Sequence, residues 1–294
     1  MGLLSTGIYV EFGIILPYIF AFYLMLSLLE DIGYLPRLAI IADNIMHRIG
    51  LHGYAIIPML LGMGCNVPGI LATRILDSKR ERFIAITLIS IAVPCAALQA
   101  MIIGLVGRYG QMYVFIVYFT LFIVWLVVGL TLNVLVKGFS PDLVIEIPPY
   151  RMPILTLLIK KVWFRIYNFL FEAIPYVLFG ILIVNLLYIS NLFNFISLFT
   201  KPVITKLWGL PQSAIVPILI GFIRKDVAVA MLGPLNLTAK QIVIGSTILA
   251  IFFPCIATFT MMIKELGIKK MFISTALMII ISLIVGALLN IIIR

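Results

Sequence analysis

One apolar segment of this chain, residues 54–76, carries its own helix breakers. Its centre, residues 55–69, reads AIIPMLLGMGCNVPG. Gly62 and Gly64 weaken a helix, Pro68 removes a backbone donor, and Cys65 and Asn66 put polar atoms at the break. In hydrocarbon there is no water to satisfy freed backbone groups. Irregular backbone at that depth survives only where protein buries it or where it lines an aqueous cavity. The segment therefore constrains the chain to a helical membrane protein with a site at the break.

Composition agrees. Of 294 residues, 64% are hydrophobic and only 11% charged, with mean hydropathy +1.24; a soluble domain carries roughly a quarter charged residues. The first apolar segment, residues 8–29, is longer than a signal-peptide core of roughly 7–15 residues, so no cleaved leader is expected. The net charge of +10 is spread over short loops between apolar segments. There it serves topology and lipid headgroups, and a nucleic-acid partner is excluded. Three cysteines are an odd number without paired spacing, which argues against a disulfide framework. A GxxxxGK[ST] phosphate loop is also missing.

In chain order, residues 8–29 form a span, and residues 35–49 an interfacial amphipathic helix with Leu38, Ile41, Ile45 and Ile49 at helical spacing. The broken segment 54–76 follows. Residues 83–106 are a second broken span, interrupted at Pro94-Cys95, and residues 111–136 a continuous one. Residues 137–151 are the longest polar connection, and residues 154–164 a further interfacial helix. The second half continues with a span at 167–190, a short amphipathic segment at 192–207, and an apolar segment at 213–232 with Arg224-Lys225-Asp226 in its middle. A span at 241–263 broken at Pro254-Cys255 and a last span at 272–293 complete it.

The second half repeats the first. AIIPMLLG at 55–62 returns as AIVPILIG at 214–221, Pro94-Cys95 as Pro254-Cys255, and Pro17-Tyr18 as Pro175-Tyr176. The expected fold is an all-α polytopic membrane protein of about eight membrane segments in two gate-type repeats, with broken or re-entrant helices. The first repeat spans 1–136, a linker 137–152, and the second 153–294. Eight full crossings make the repeats parallel, and one re-entrant hairpin per half makes them inverted. On eight crossings, Lys and Arg lean thinly toward cytoplasmic termini.

Interrupted segments at matching positions of two halves point to a transporter's binding site near the midplane. All three cysteines, Cys65, Cys95 and Cys255, fall at these breaks. Thiolates and thioethers suit soft or borderline metals, with Asn66, Met63 and freed carbonyls completing a loose shell. Arg224, Lys225 and Asp226 are costly in a membrane and read as a gate. Glu30 and Asp31 form an ion pair with nearby Arg37 or, with His52, a metal-collecting entry. An organic solute such as a nucleoside is the alternative cargo, disfavoured by the few polar groups at the breaks, Asn66, Ser90 and Gln99. A cysteine-based membrane enzyme ranks last, because both histidines lie outside the broken segments.

These residues resemble the membrane domain of the ferrous iron transport protein B (FeoB) family over nearly the whole chain. LEDIGY at 29–34 is similar to that family's LED-x-GY, and GLHG at 50–53 to its GLHG. GMGCNVP at 62–68, with Thr73-Arg74, is similar to its GxGCNVP, and GFIRKD at 221–226 to its GFxRK[ED]. FPCIAT at 253–258 and KELG at 264–267 also match. The resemblance implies an Fe²⁺ permease in the cell membrane, with Cys65, Cys95 and Cys255 in its path and Fe²⁺ as cargo rather than a permanently bound cofactor. Two departures stand out: the family's N-terminal GTP-binding domain is expected to be absent, and its SCxAR reads PCAAL at 94–98. The expected partners are the lipid bilayer, a separate GTP-binding domain or subunit, and a second copy of the chain.

Overall fold

A computed structural model describes residues 16–136, 138, 150, 152–167, 171, 201–223, 225–252 and 254–293. The described residues are helical or turn, with no strand among them, and fall into two compact units. One lies within Met1–Ile89 and Val128–Leu182, the other within Ser90–Val127 and Ile183–Arg294.

In the first unit, α1 (Leu16–Ile32) and α2 (Tyr34–Arg48) are separated by Gly33 alone. α2 is amphipathic as expected, but its packed side is Leu35, Ala39 and Met46. Of the expected apolar stripe, Ile49 is buried, while Ile41 and Ile45 are exposed, as an interfacial face turned to lipid allows. Beyond α2 the chain turns a tight corner, where Gly53 abuts the Ala39 backbone carbonyl and donates its N–H to Asp43 Oδ1 at 2.7 Å.

The broken segment becomes α3 (Ile56–Gly64) and α4 (Asn66–Ala72), joined by Cys65 in an extended conformation, φ −146° and ψ 135°. The two helices fold back on each other. A Cβ built on Gly69 would lie 2.8 Å from Gly62 Cα and 2.9 Å from the Pro58 carbonyl oxygen. Two turns of one straight helix would hold residues 62 and 69 roughly 10 Å apart, so the segment is a hairpin and not a crossing. α9 (Ile215–Ile223) and α10 (Lys225–Leu232) pack together in the same way, with Ala228 beside Gly221 where Gly69 sits beside Gly62. The eight-crossing alternative is therefore replaced by two re-entrant hairpins.

α5 (Lys79–Ala92) begins at Ser78, whose Oγ accepts the Glu81 N–H at 3.0 Å. It resumes after Val93-Pro94-Cys95 as α6 (Ala96–Met101), then a wide π-type turn (Ile102–Val106) and a 3₁₀ turn (Gly107–Tyr109). α7 (Gln111–Leu135) is continuous. α8, residues 155–167, packs Val162 and Ile166 with Tyr23, Leu26, Leu35 and Leu61 as the core of the first unit. In the second unit, α11 (Ala239–Ile251) starts at a Thr238–Gln241 capping box, and α12 (Ile256–Leu266) and α13 (Ile268–Ile292) follow. Among the described residues, four stretches are long and apolar enough to cross a membrane: Lys79–Tyr109, Gln111–Leu135, Ala239–Leu266 and Ile268–Ile292. The expected span at 167–190 and most of the segment at 192–207 lie outside the described residues.

The repeat runs deeper than the sequence match. Arg80 Nε donates to the Val136 carbonyl at 2.6 Å, and its other nitrogens reach the carbonyls of Gly50 and Asn133 at 3.1 Å; Asn133 Nδ2 reaches the Arg48 carbonyl at 2.9 Å. The second half builds the same clamp with Lys240 on the Asn290 carbonyl at 2.6 Å and Asn290 Nδ2 on the Leu207 carbonyl at 3.1 Å. Gly50 (φ 79°) and Gly209 (φ 68°) occupy the corners beside the two asparagines; a Cβ there would be strained by φ and would press on the asparagine side chain.

Candidate permeation site

Helix length sets the depth of the first break. The nine residues of α3 rise about 13 Å, close to half of a hydrocarbon core of roughly 30 Å. Cys65 at the tip is half-buried. Asn66 follows, 4% exposed, and its Oδ1 finds no hydrogen-bond partner among the described residues. An unmet buried acceptor costs about 1–3 kcal/mol, so this carbonyl is a candidate ligand atom. Tyr23 of α1 is buried within electrostatic range of Cys65. Met63 is 41% exposed on the outer side of α3.

The second unit brings the other two cysteines together. Cys95 (φ −69°, ψ 167°) and Cys255 (φ −62°, ψ 158°) hold the same position, immediately before a helix restarts. Their carbonyls accept the N–H groups of Gln99 and Phe259, both at 2.9 Å. Proline explains the break: Pro94 and Pro254 donate no backbone hydrogen bond, and the residue before a proline is pushed out of the helical region. Gln99 Nε2 takes up the Pro94 carbonyl at 2.9 Å. Cys255 Sγ lies 3.1 Å from Thr258 Oγ1.

Lys225 sits with them. It is 5% exposed, its ammonium reaches the Ala250 carbonyl at 3.4 Å, and it lies within electrostatic range of Cys95, as does Cys255. Carbonyls in the last turn of a helix lack intrahelical partners and carry the negative end of its dipole, so the ammonium both caps α11 and offsets that charge. Lys225 is the repeat counterpart of Asn66. One hairpin thus carries a buried cation where the other carries a buried amide. Arg224 and the Asp226 side chain lie outside the described residues.

The expected entry residues are engaged. Lys161 Nζ lies 2.6 Å from Asp31 Oδ1 and 3.4 Å from Glu30 Oε1, and Arg165 Nη2 lies 2.6 Å from Glu30 Oε2. Arg37 donates to the Gly33 carbonyl and stacks on the Tyr150 ring 3.5 Å away. These contacts arise because α8 lays Lys161 and Arg165 against the end of α1. His52 is buried, its Nε2 3.4 Å from the buried carboxylate of Glu81, and its Nδ1 has no hydrogen-bond partner among the described residues. Sequence reasoning missed Glu81, Lys161, Arg165, Tyr23 and Thr258. The Ser78-x-x-Glu81 spacing was a legible cap signal, but nothing in the sequence aims Glu81 at His52. Among the described residues, no three His, Cys, Asp or Glu side chains gather around one point.

The Lys161 contacts carry a pH signature. Partial burial lowers its pKa, but the hydrogen bond to Asp31 and the charges of Glu30 and Asp31 outweigh that, and the net value is raised. A raised folded pKa gives stability that is complete below the ordinary lysine value and lost as pH climbs through the folded one. Thermal unfolding in detergent is expected to show a fall above about pH 10.5 that Lys161→Met reduces; an identical alkaline profile in the variant would show that the pair contributes nothing.

Two matched hairpins, two matched Pro-Cys breaks and long crossing helices define a multi-pass membrane protein of the gate-repeat transporter class. A family profile described as nucleoside recognition, Gate, matches residues 12–109 and 170–269, and one described as ferrous iron transport protein B C terminus matches residues 114–165. The Fe(2+) transporter FeoB of Methanocaldococcus jannaschii is 30% identical over 91% of the chain and 46% of that protein. FeoB of Staphylococcus aureus is 27% identical over 90% of the chain and 44% of that protein. A Porphyromonas gingivalis protein named as a fusion of Fe(2+) transport protein A and FeoB is 38% identical over 51% of the chain and 18% of that protein. No solved structure matches. The chain belongs to the FeoB family, matching its membrane part. It spans about half the length of the two relatives that it matches over nearly its whole length.

Proposed function

We propose that this chain forms the membrane path of an Fe²⁺ permease, with Cys65 and Asn66 at one hairpin tip and Cys95 and Cys255 at the paired Pro-Cys breaks. The observation that carries the reading is the matched placement of Cys95 and Cys255 at restarting helices, beside the single buried ammonium described in the second unit. Sulfur ligands suit soft or borderline metals. The Lys225 ammonium competes with any cation for that place. Its withdrawal would admit Fe²⁺, and its return would expel it, which makes Lys225 a gate by charge. Asp226 and Arg224 belong to the same gate by position. A spread set of few ligands suits release better than storage.

Nothing in the reading needs a permanently bound cofactor. Fe²⁺ is cargo, and a GTP-binding domain or subunit and a second copy of the chain are the proposed partners beyond the lipid. A nucleoside cargo is not favoured. Of the polar groups at the breaks, Ser90 Oγ reaches Met262 Sδ at 3.4 Å and Gln99 holds the Pro94 carbonyl, which leaves few donors for a ring or ribose.

The test is ⁵⁵Fe²⁺ uptake by proteoliposomes or by cells lacking other ferrous uptake. Altering even the groups behind metal ligands changes affinity by roughly 10–100-fold, so Cys65→Ser with Cys255→Ser should lower flux by at least about tenfold. Unchanged flux in the double variant at equal membrane abundance rules out the cysteine path.

A further inference from the structure

We infer that Thr258 is a specificity-determining residue of the path: its hydroxyl oxygen and the Cys255 sulfur grip the passing ion together and favour six-coordinate Fe²⁺ over tetrahedral Zn²⁺. The inference rests on the permease reading above and names the residue that sets its selectivity.

Cys255 Sγ and Thr258 Oγ1 stand 3.1 Å apart at the start of α12. Thr258 is fully buried, and Cys255 is half-buried. A threonine in a helix can turn its hydroxyl back to a carbonyl three or four residues earlier. Thr120, Thr247 and Thr260 do so here. The Thr258 hydroxyl is turned to sulfur instead. A β-branched side chain with no free space around it keeps its χ1 rotamer, so the oxygen is held beside the sulfur. The other Pro-Cys break lacks this pair. At the matching place after Cys95 stands Leu98, also fully buried, which has no atom to offer a metal. The two breaks are therefore chemically unlike: one couples sulfur to a fixed oxygen, and the other sets sulfur within electrostatic range of Lys225.

At a site of sulfur alone, Zn²⁺ binds more tightly than Fe²⁺ by the ordinary order of affinities, so passage of Fe²⁺ needs selection by geometry. The spacing supplies it. With bonds of about 2.3 Å to sulfur and about 2.1 Å to oxygen, a separation of 3.1 Å sets an angle of about 90° at the ion, whereas a tetrahedral angle needs about 3.6 Å. Ligands at right angles suit Fe²⁺ held on one face with open positions, while Zn²⁺ on protein sulfur is tetrahedral. The hydroxyl binds through a lone pair and keeps its proton. It adds no charge to the grip, which favours release.

The experiment compares Thr258→Val, which removes the hydroxyl at nearly constant shape, with Thr258→Ser, which keeps it. Uptake of ⁵⁵Fe²⁺ by proteoliposomes is measured against rising Zn²⁺. T258V is expected to reach half-inhibition at roughly tenfold less Zn²⁺, and T258S to match the unsubstituted protein. Equal Zn²⁺ sensitivity in T258V and the unsubstituted protein overturns the proposal, as does a change in T258S as large as that in T258V. Co²⁺ added to the purified protein gives a readout that needs no transport. Its visible bands are weak in six-coordinate sites and strong in tetrahedral ones, and a near-ultraviolet band reports a sulfur ligand. The unsubstituted protein is expected to show a sulfur band, diminished in Cys255→Ser, and weak visible bands that strengthen in T258V. Identical cobalt spectra for T258V and the unsubstituted protein, or a sulfur band that Cys255→Ser leaves intact, overturn the grip. A chain that moves no Fe²⁺ but gives the expected cobalt spectra keeps the grip and loses the permease reading.

Discussion

Replacing Arg80 with methionine is expected to produce the largest loss of folded protein of any single change outside the breaks. The guanidinium holds three backbone carbonyls in two segments, one at the Gly50 corner and two at the end of α7. Hydrogen bonds from a charged donor contribute about 1.5–3 kcal/mol each, and the carbonyls left behind are costly where water is scarce. The expected cost is on the order of 3 kcal/mol or more. The thermal midpoint of the detergent-solubilised protein reads it. Lys240→Met is the internal comparison: Lys240 reaches one carbonyl of α13, at 2.6 Å, so its loss should be clearly smaller. Equal midpoints for R80M and the unsubstituted protein would show that the clamp carries no stability.

The second large effect is expected at Gly69. A side chain there meets Gly62 Cα and N and the Pro58 carbonyl, all backbone atoms that cannot swing aside. Gly69→Leu should force α3 and α4 apart; overpacking of this kind costs typically about 1–3 kcal/mol. Because the tip of the hairpin carries Cys65 and Asn66, the displacement reaches the break directly, and iron flux should be lost even where the protein still inserts. Gly69→Ala should be milder, because Ala228 occupies the corresponding place beside Gly221. Flux of G69L equal to that of the unsubstituted protein, at matched abundance, would show that hairpin closure does not matter to passage.

Fold class and the breaks at Cys65, Pro94-Cys95 and Pro254-Cys255 were legible in the sequence, because hydrophobic length and helix breakers are local properties. Pro94-Cys95 and Pro254-Cys255 needed no neighbours to be read. What stayed hidden depends on long-range pairing. A break at Gly62–Pro68 reads the same in a kinked crossing and in a hairpin; only the approach of residue 69 to residue 62 decides. Glu30 and Asp31 had a basic residue nearby in Arg37, but Lys161 and Arg165, which also pair with them, come from α8, more than a hundred residues away. In lipid an apolar side chain has no need to face protein, so amphipathic spacing on α2 did not say which side packs.

The repeat also failed to show where it is unequal. Between the Pro-Cys break and the corner glycine, Gly110 or Gly267, the second half has one regular helix of 11 residues, α12. The first half fills the same interval with α6, the π-type turn and the 3₁₀ turn, 6, 5 and 3 residues. Both halves then continue in helices of 25 residues. Three surplus residues are thus absorbed in the arm that follows Cys95, partly by widening a turn, a form helices adopt frequently at functional sites. A widened turn can hand its surplus residue along the helix, shifting the hydrogen-bond register with little loss of bonding. The arm after Cys95 is thus irregular and longer, where the arm after Cys255 is one regular helix, so the two repeats carry their cysteines on unlike supports.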